Sequence, residues 1–208
     1  MKKLFIGTYN PSIILTYISV FCSIYGIASL LFSKSGSVFN EISLSMILLV
    51  AAGVCDMFDG KIARMCKRTE KEKEFGIQLD SLADTVSFVV FPAILLIYIT
   101  KMNTVSLIIA LLYVFAGIMR LGWFNVTTEE NKGCFFGLPV TFAALIFPTA
   151  FIVLNQLSLP FETIIYQCLY LIISLAFILN FKLKKPGLVF SIVMLALAIV
   201  AIVLLFIF

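Results

Sequence analysis

Seven apolar stretches, each close to the length of a bilayer crossing, leave this chain almost no polar surface to offer water. They run over Ile13–Phe32, Ile42–Met57, Phe75–Thr100, Val105–Phe124, Phe136–Leu157, Thr163–Phe181 and Leu188–Phe208. A helix needs about 20 mostly apolar residues to cross the hydrocarbon of a bilayer. Seven such stretches within 208 residues could not all be core helices of a water-soluble protein, because nothing polar would remain to surround them. Charged residues make up 12% of the chain, about half of the ~25% usual in soluble domains. These features argue against a cytosolic globular fold and against disorder. The expected class is an all-α polytopic membrane protein. The second stretch is short for a crossing and the third opens on polar residues, so both should continue past the hydrocarbon on one side.

The breaks between stretches suit helix ends. Ser33-Lys34-Ser35-Gly36-Ser37 divides the first two, Pro160 divides the fifth and sixth, and Pro186-Gly187 ends the sixth. Met1-Lys2-Lys3 opens the chain as a leader would. The run that follows is span-length and has no small-residue cleavage site, so it reads as a retained helix. Basic residues are sorted by side. Lys2 and Lys3, then Lys61, Arg64, Lys67, Arg68, Lys71 and Lys73, then Arg120 and Lys132, then Lys182, Lys184 and Lys185 share one face; only Lys34 and Lys101 fall on the other. Positive residues stay on the cytoplasmic side. The N-terminus and the second, fourth and sixth connections are therefore expected in the cytoplasm of a cell-membrane protein, with the C-terminus outside. The chain shows no internal repeat and reads as one domain, 1–208.

Much familiar chemistry is missing. With no His there is no imidazole base, no Ser-His-Asp triad and no His-ligated zinc. Cys22, Cys55, Cys66, Cys134 and Cys168 are scattered without a C-x-x-C pair and read as reduced packing residues. The net charge of +4 orients a membrane protein and gives no reason to expect a nucleic-acid partner.

The acidic residues are concentrated instead. Seven of the 11 lie between Asp56 and Asp84, and four of those are aspartates at helical spacing. Asp56 and Asp59 are three apart at the end of the second stretch; Asp80 and Asp84 are four apart at the start of the third. Such pairs share a helix face. Two neighbouring helices could thus gather four carboxylates at one membrane surface, and a divalent cation would relieve their repulsion. An all-oxygen set selects hard ions, Mg²⁺ or Mn²⁺ with Ca²⁺ as a possible occupant, and four carboxylates suffice for two ions serving phosphoryl chemistry. Gly60, Ala63 and Gly76 are small enough for close approach of a helix or a flat ligand. If the second helix continues, Arg64 joins Asp56 and Gly60 on one stripe and can meet a phosphate bidentately. Helix caps and interfacial charges are the plainer account. That account suits Lys67–Glu74, read as a solvated loop, but not Asp80 and Asp84, which run into a span.

The run Asp56-x-x-Asp59-Gly60-x-x-Ala63-Arg64, with Gly76-x-x-x-Asp80-x-x-x-Asp84 following, resembles the signature of the CDP-alcohol phosphotransferases, membrane enzymes of phospholipid synthesis. The stretch from Arg64 to Gly76 is longer than in many members and is expected to be absorbed in the loop. Two further segments are similar to the branch that uses serine as acceptor. One is Phe75-Gly76-x-Gln78-Leu79-Asp80-Ser81-Leu82-Ala83-Asp84-x-Val86-Ser87-Phe88 with Pro92; the other is Arg120-Leu121-x-x-Phe124-Asn125 with Phe136-Gly137-Leu138-Pro139.

The resemblance implies a bundle of six core transmembrane helices, so one of the seven stretches is an addition. It implies CDP-diacylglycerol as donor, L-serine as acceptor, phosphatidylserine and CMP as products, and a homodimer among membrane lipids. It makes Asp56, Asp59 and Asp80 the principal metal ligands and Asp84 both a ligand and the general base. Nucleotide contacts would come from Asp56, Gly60, Ala63 and Arg64. Gly76 would permit close helix packing beside the nucleotide. Where many members have Pro-Asn-x-x-Thr, this chain has Asn10-Pro11-Ser12, and Thr16 is the candidate nucleotide contact there. Arg120 could bind the acceptor's carboxylate with Asn125 in support; a positive-inside anchor and a turn residue account for them equally well. Trp123 and Phe124 read as interfacial aromatics.

Two rivals remain. The same fold could serve another acceptor, such as glycerol phosphate or an inositol phosphate, although the fourth connection offers only Arg120 and Lys132 to a second phosphate. A divalent-cation transporter would need acids along a path, and the later spans have none to match.

Overall fold

The computed structural model describes Gly7 and residues 10–32, 40–127, 134–157, 159–184 and 187–207. Lys2, Lys3, Lys34, Lys132 and Lys185, and the break at Ser33–Ser37, lie outside them. Each apolar stretch contains a helix: α1 (Ile14–Leu31), α2 (Glu41–Met65), α3 (Glu70–Ile99), α4 (Thr104–Thr127), α5 (Ala143–Leu157), α6 (Glu162–Ile178) and α7 (Leu188–Ile207). Among the described residues all but α6 belong to helices long and apolar enough to cross a membrane, six in number; α6 is apolar but shorter. The chain is an integral membrane protein built as a helical bundle.

Local chemistry sets the helix starts. Asn10 accepts from the Ser12 N–H and Pro11 fills the first turn ahead of α1. The Asn40 side chain caps α2 through the Ile42 N–H at 3.1 Å. At α3, Thr69 and Glu72 form a reciprocal capping box, and Lys73 pairs with Glu70 at 2.7 Å. Those contacts overturn the expected loop at Lys67–Glu74. α2 runs on to Met65, only Cys66–Thr69 connects it to α3, and Glu70–Glu74 is helical. The fifth stretch is corrected too. Cys134–Phe136 is a strand, β1, paired antiparallel with β2 (Lys182–Lys184). This ladder ties the connection after α4 to the one after α6, so both leave the same end of the bundle. Gly137, at φ +70, closes the corner, its N–H donating to the Phe181 carbonyl at 2.9 Å.

Small residues bring the helices close. A Cβ on Gly26 would lie 2.3 Å from the Phe91 ring, and one on Gly117 would lie 2.7 Å from Val89, so α1 and α4 both press on α3. Hydroxyls join the helices inside the bundle: Ser19 of α1 meets Ser87 of α3, and Ser29 of α1 meets Ser45 of α2.

α3 is not α-helical throughout. Thr85–Val90, immediately after Asp84, is a π-turn. Pro92 has no N–H to give the Phe88 carbonyl four residues back. The Tyr113 hydroxyl supplies the missing donor from α4 at 2.8 Å, and the Tyr170 hydroxyl from α6 bonds the Pro92 carbonyl at 2.7 Å. Tyr113 and Tyr170 are fully buried and stack edge-on with ring centroids 5.2 Å apart. The segment that carries Asp84 is thus fixed from two neighbouring helices.

Candidate active site

Asp56 and Asp59 sit in the last turns of α2, and Asp80 and Asp84 in the first half of α3. Carboxylate oxygens of Asp56, Asp80 and Asp84 lie within 4.8 Å of one another. The Asp56 and Asp84 side chains lie close together, as do those of Asp59 and Asp80. Asp59 also accepts from the Thr16 hydroxyl of α1 at 3.2 Å. The four aspartates expected from the sequence are therefore one cluster, with Thr16 at its Asp59 edge.

Such a cluster cannot carry four negative charges beside apolar helices unless something compensates them. Its donors are all oxygens from two rigid helices, and among the described residues no His or Cys joins the group. Trans oxygens on a bound Ca²⁺ are up to about 5 Å apart and those on Mg²⁺ about 4 Å. The observed spacing needs small side-chain rotations at most, so these residues fit a hard divalent cation.

Three cavities meet this cluster or lie beside it. The first, about 450 Å³, has Asp59 and Asp80 at its floor, Ser12 and Thr16 on one wall, and Arg64 and Arg68 above. Gly60 and Ala63 line it, and nothing lies within 4 Å of a Cβ placed on Gly60. Gly60 thus opens the cavity. Arg64 Nε donates to the Gly60 carbonyl at 3.0 Å, which keeps its guanidinium on the Asp56–Gly60 stripe. Gly76 departs from expectation. Among the described residues a Cβ there would meet no helix backbone, only Arg68 Nη1 at 3.4 Å. Its small size makes room for an arginine, not for helix packing. Arg68 was not among the sequence-derived candidates, because it lies between the two halves of the signature in what reads as a charged loop.

A second, apolar cavity of about 140 Å³ between α2, α5 and α7 reaches Asp56 from within the bundle, along Gly53, Phe142 and Met194. A third, about 260 Å³, lies on the α4 and α6 side. It is lined by Arg120, Trp123, Phe136, Phe177 and Asn180. Arg120 is only 8% exposed, its Nε has no hydrogen-bond partner among the described residues, and its guanidinium lies 4.9 Å over the Phe124 ring. Asp84 is the carboxylate whose field reaches it. Trp123 is 62% exposed, as an interfacial ring should be, whereas Phe124 carries Arg120. Asn125 turns toward α3, its side-chain oxygen accepting from the Ser81 hydroxyl at 2.9 Å. It ties α4 to the residue beside Asp80.

Residues 9–208 match the model of a family described as CDP-alcohol phosphatidyltransferase. The chain is 33% identical over 126 residues to the CDP-diacylglycerol–serine O-phosphatidyltransferase of Helicobacter pylori, covering 57% of this chain and 52% of that one. It is 38% identical over 122 residues to the archaetidylserine synthase of Methanothermobacter thermautotrophicus, covering 58% and 49%. It is 33% identical over 175 residues to the CDP-diacylglycerol–serine O-phosphatidyltransferase of Saccharomyces cerevisiae, covering 77% and 60%. The matched regions span about half to three-fifths of these relatives.

Proposed function

The chain belongs to the CDP-alcohol phosphatidyltransferase family, and from that premise we propose that it moves the phosphatidyl group of CDP-diacylglycerol to the hydroxyl of L-serine. The products are phosphatidylserine and CMP. The observation that carries this reading is the convergence of four aspartates from α2 and α3, with an arginine-rimmed cavity on one side and buried Arg120 on the other.

The cavities suit the two substrates. The polar cavity takes the nucleotide, against Thr16, Gly60, Ala63, Arg64 and Gly76 beside Asp59 and Asp80, with Asp56 reaching it only through the metal cluster. The apolar cavity reaching Asp56 accepts part of a diacylglycerol chain. Asp56, Asp59 and Asp80 would hold divalent cations, with Asp84 shared. When bound, Mg²⁺ or Mn²⁺, two in number, supplies positive charge to the diphosphate and to the departing CMP. Asp84 accepts the proton of the serine hydroxyl as its oxygen bonds to the phosphorus bearing diacylglycerol, and the bond from that phosphorus to the CMP oxygen breaks. Arg120 holds the serine carboxylate through its fork, and Asn125 keeps α4 in register with α3. The basic connections and the β1–β2 ladder at this end of the bundle favour the cytoplasmic face of the cell membrane. The whole chain acts as one membrane domain, in a homodimer.

Purified protein with CDP-diacylglycerol and Mg²⁺ or Mn²⁺ should release CMP with serine. Release only with glycerol phosphate or an inositol phosphate would replace the acceptor. Metal flux in vesicles without CMP release would replace the activity. Hydrogen bonds to a charged group contribute about 1.5–3 kcal/mol, so Arg120→Ala should raise the KM for serine about 10–100-fold with the donor KM unchanged. A matched rise in both would remove Arg120 from the serine site. Tyr113→Phe should retain the fold and lower kcat about tenfold at constant KM, because the π-turn that aims Asp84 loses its donor. Unchanged kcat would show that Pro92 alone sets the turn.

A further inference from the structure

The longer segment between the two halves of the signature has no role in the mechanism above, yet it places a second arginine over the donor cavity. We propose that Arg68 binds the phosphate of the nucleotide that leaves, a contact additional to those of the signature residues. The inference rests on the reading of the cavity as the site of a CDP-linked donor.

Arg68 lines the same cavity as Asp59, Asp80 and Arg64. Its Nε is shut off from solvent and has no hydrogen-bond partner among the described residues. A buried N–H with no acceptor is costly, and a turn of the guanidinium toward a ligand oxygen in the cavity would satisfy it. The other end of the guanidinium, Nη1, lies where a side chain on Gly76 would otherwise project. Gly76 is one helical turn, about 6 Å of rise, from Asp80. That interval suits a phosphate held between a cation at Asp80 and a guanidinium at Gly76.

The segment that carries Arg68 is held on both sides. The Asn10 side-chain amide donates to the Lys67 carbonyl at 3.3 Å, joining the connection to the start of α1. Thr69 begins α3 with its capping box. Arg68 is therefore held at the edge of the cavity that Ser12, Thr16 and Gly76 also line. Arg64 is already committed through Nε to the Gly60 carbonyl, whereas the Arg68 fork has no such tie at Nε. Once cations offset the carboxylates at the floor, two guanidinium charges remain above it, the complement of the paired negative charges of a diphosphate diester.

The test compares CMP with cytidine on the full-length protein in detergent with Mn²⁺. CMP binding is measured by calorimetry and cytidine by competition. Arg68→Gln should weaken CMP about tenfold and leave cytidine unchanged. Arg68→Lys should fall between, since it keeps the charge and loses the fork. The KM for the donor should rise, while the KM for serine and the melting temperature stay put. CMP affinity within twofold of the parent in Arg68→Gln would overturn the assignment, as would equal weakening of CMP and cytidine. Failure of the unaltered protein to bind CMP would overturn the donor reading and this one with it. Binding of CMP without turnover of serine would reject only the acceptor and leave Arg68 to be judged on its own result.

Discussion

Asp84→Asn should give a folded protein that binds donor and fails to turn over. The exchange keeps the shape of the side chain and its ability to bond Asp56, its neighbour in the cluster. It removes one of four crowded negative charges, so the melting temperature should hold or rise. What it removes from the chemistry is the carboxylate of the cluster whose field reaches Arg120. An amide oxygen cannot accept the hydroxyl proton as the new P–O bond forms. Loss of a general base typically costs a factor of 10²–10⁴, and Asp84 also shares the cations, so kcat should fall at least about 10³-fold. CMP affinity should stay within a few-fold, because the nucleotide sits against Asp59, Asp80 and the arginines. CMP release, calorimetry and thermal unfolding on one preparation distinguish these effects. Activity within tenfold of the parent would remove Asp84 from the role of base.

The aspartate cluster was legible because its information is local. Two pairs at three- and four-residue spacing, each at the end of an apolar stretch, specify two faces, and short connections bring those faces together. Arg120 came from the resemblance and could equally be a positive-inside anchor; its burial beside the third cavity is what the fold adds. Other features were lost for physical reasons. Thr69-x-x-Glu72 is a capping box in plain sequence, but the alternating charges around it also fit a solvated loop, and the start of α3 was misplaced. β1 is apolar and runs into the next span, and its partner lies 50 residues away in the chain, Cys134 opposite Lys184, so periodicity gave no sign of a strand. The π-turn after Asp84 depends on Pro92 meeting a hydroxyl from another helix. Pro92 was visible; that Tyr113 would answer it was not. Arg68 was lost with the loop that carries it, since only folding sets its guanidinium beside Gly76.

Divalent cations should govern both rate and stability, and Asp80 should be where the two effects meet. Asp80 is in contact with Asp59 and also belongs to the group with Asp56 and Asp84. It therefore joins the halves of the cluster. Chelation of divalent cations should abolish CMP release, and Mg²⁺ or Mn²⁺ should restore it. An ion that binds only the folded state at 100 times its dissociation constant adds about 2.7 kcal/mol of stability. The parent should accordingly melt several degrees higher with saturating cation than with chelator. Asp80→Asn should lose at least about 10²-fold in kcat, and the cation-dependent rise in melting temperature should shrink to near zero. Its melting temperature in chelator should match or exceed the parent's, because the substitution relieves the same repulsion that the ion relieves. That pattern separates a ligand from a structural residue, whose loss would lower stability in either condition. Asp59→Asn should show the same pattern more weakly, since the Thr16 hydroxyl already compensates part of its charge. Full activity in chelator, or an equal cation response in the parent and Asp80→Asn, would contradict the assignment of these carboxylates to a cation.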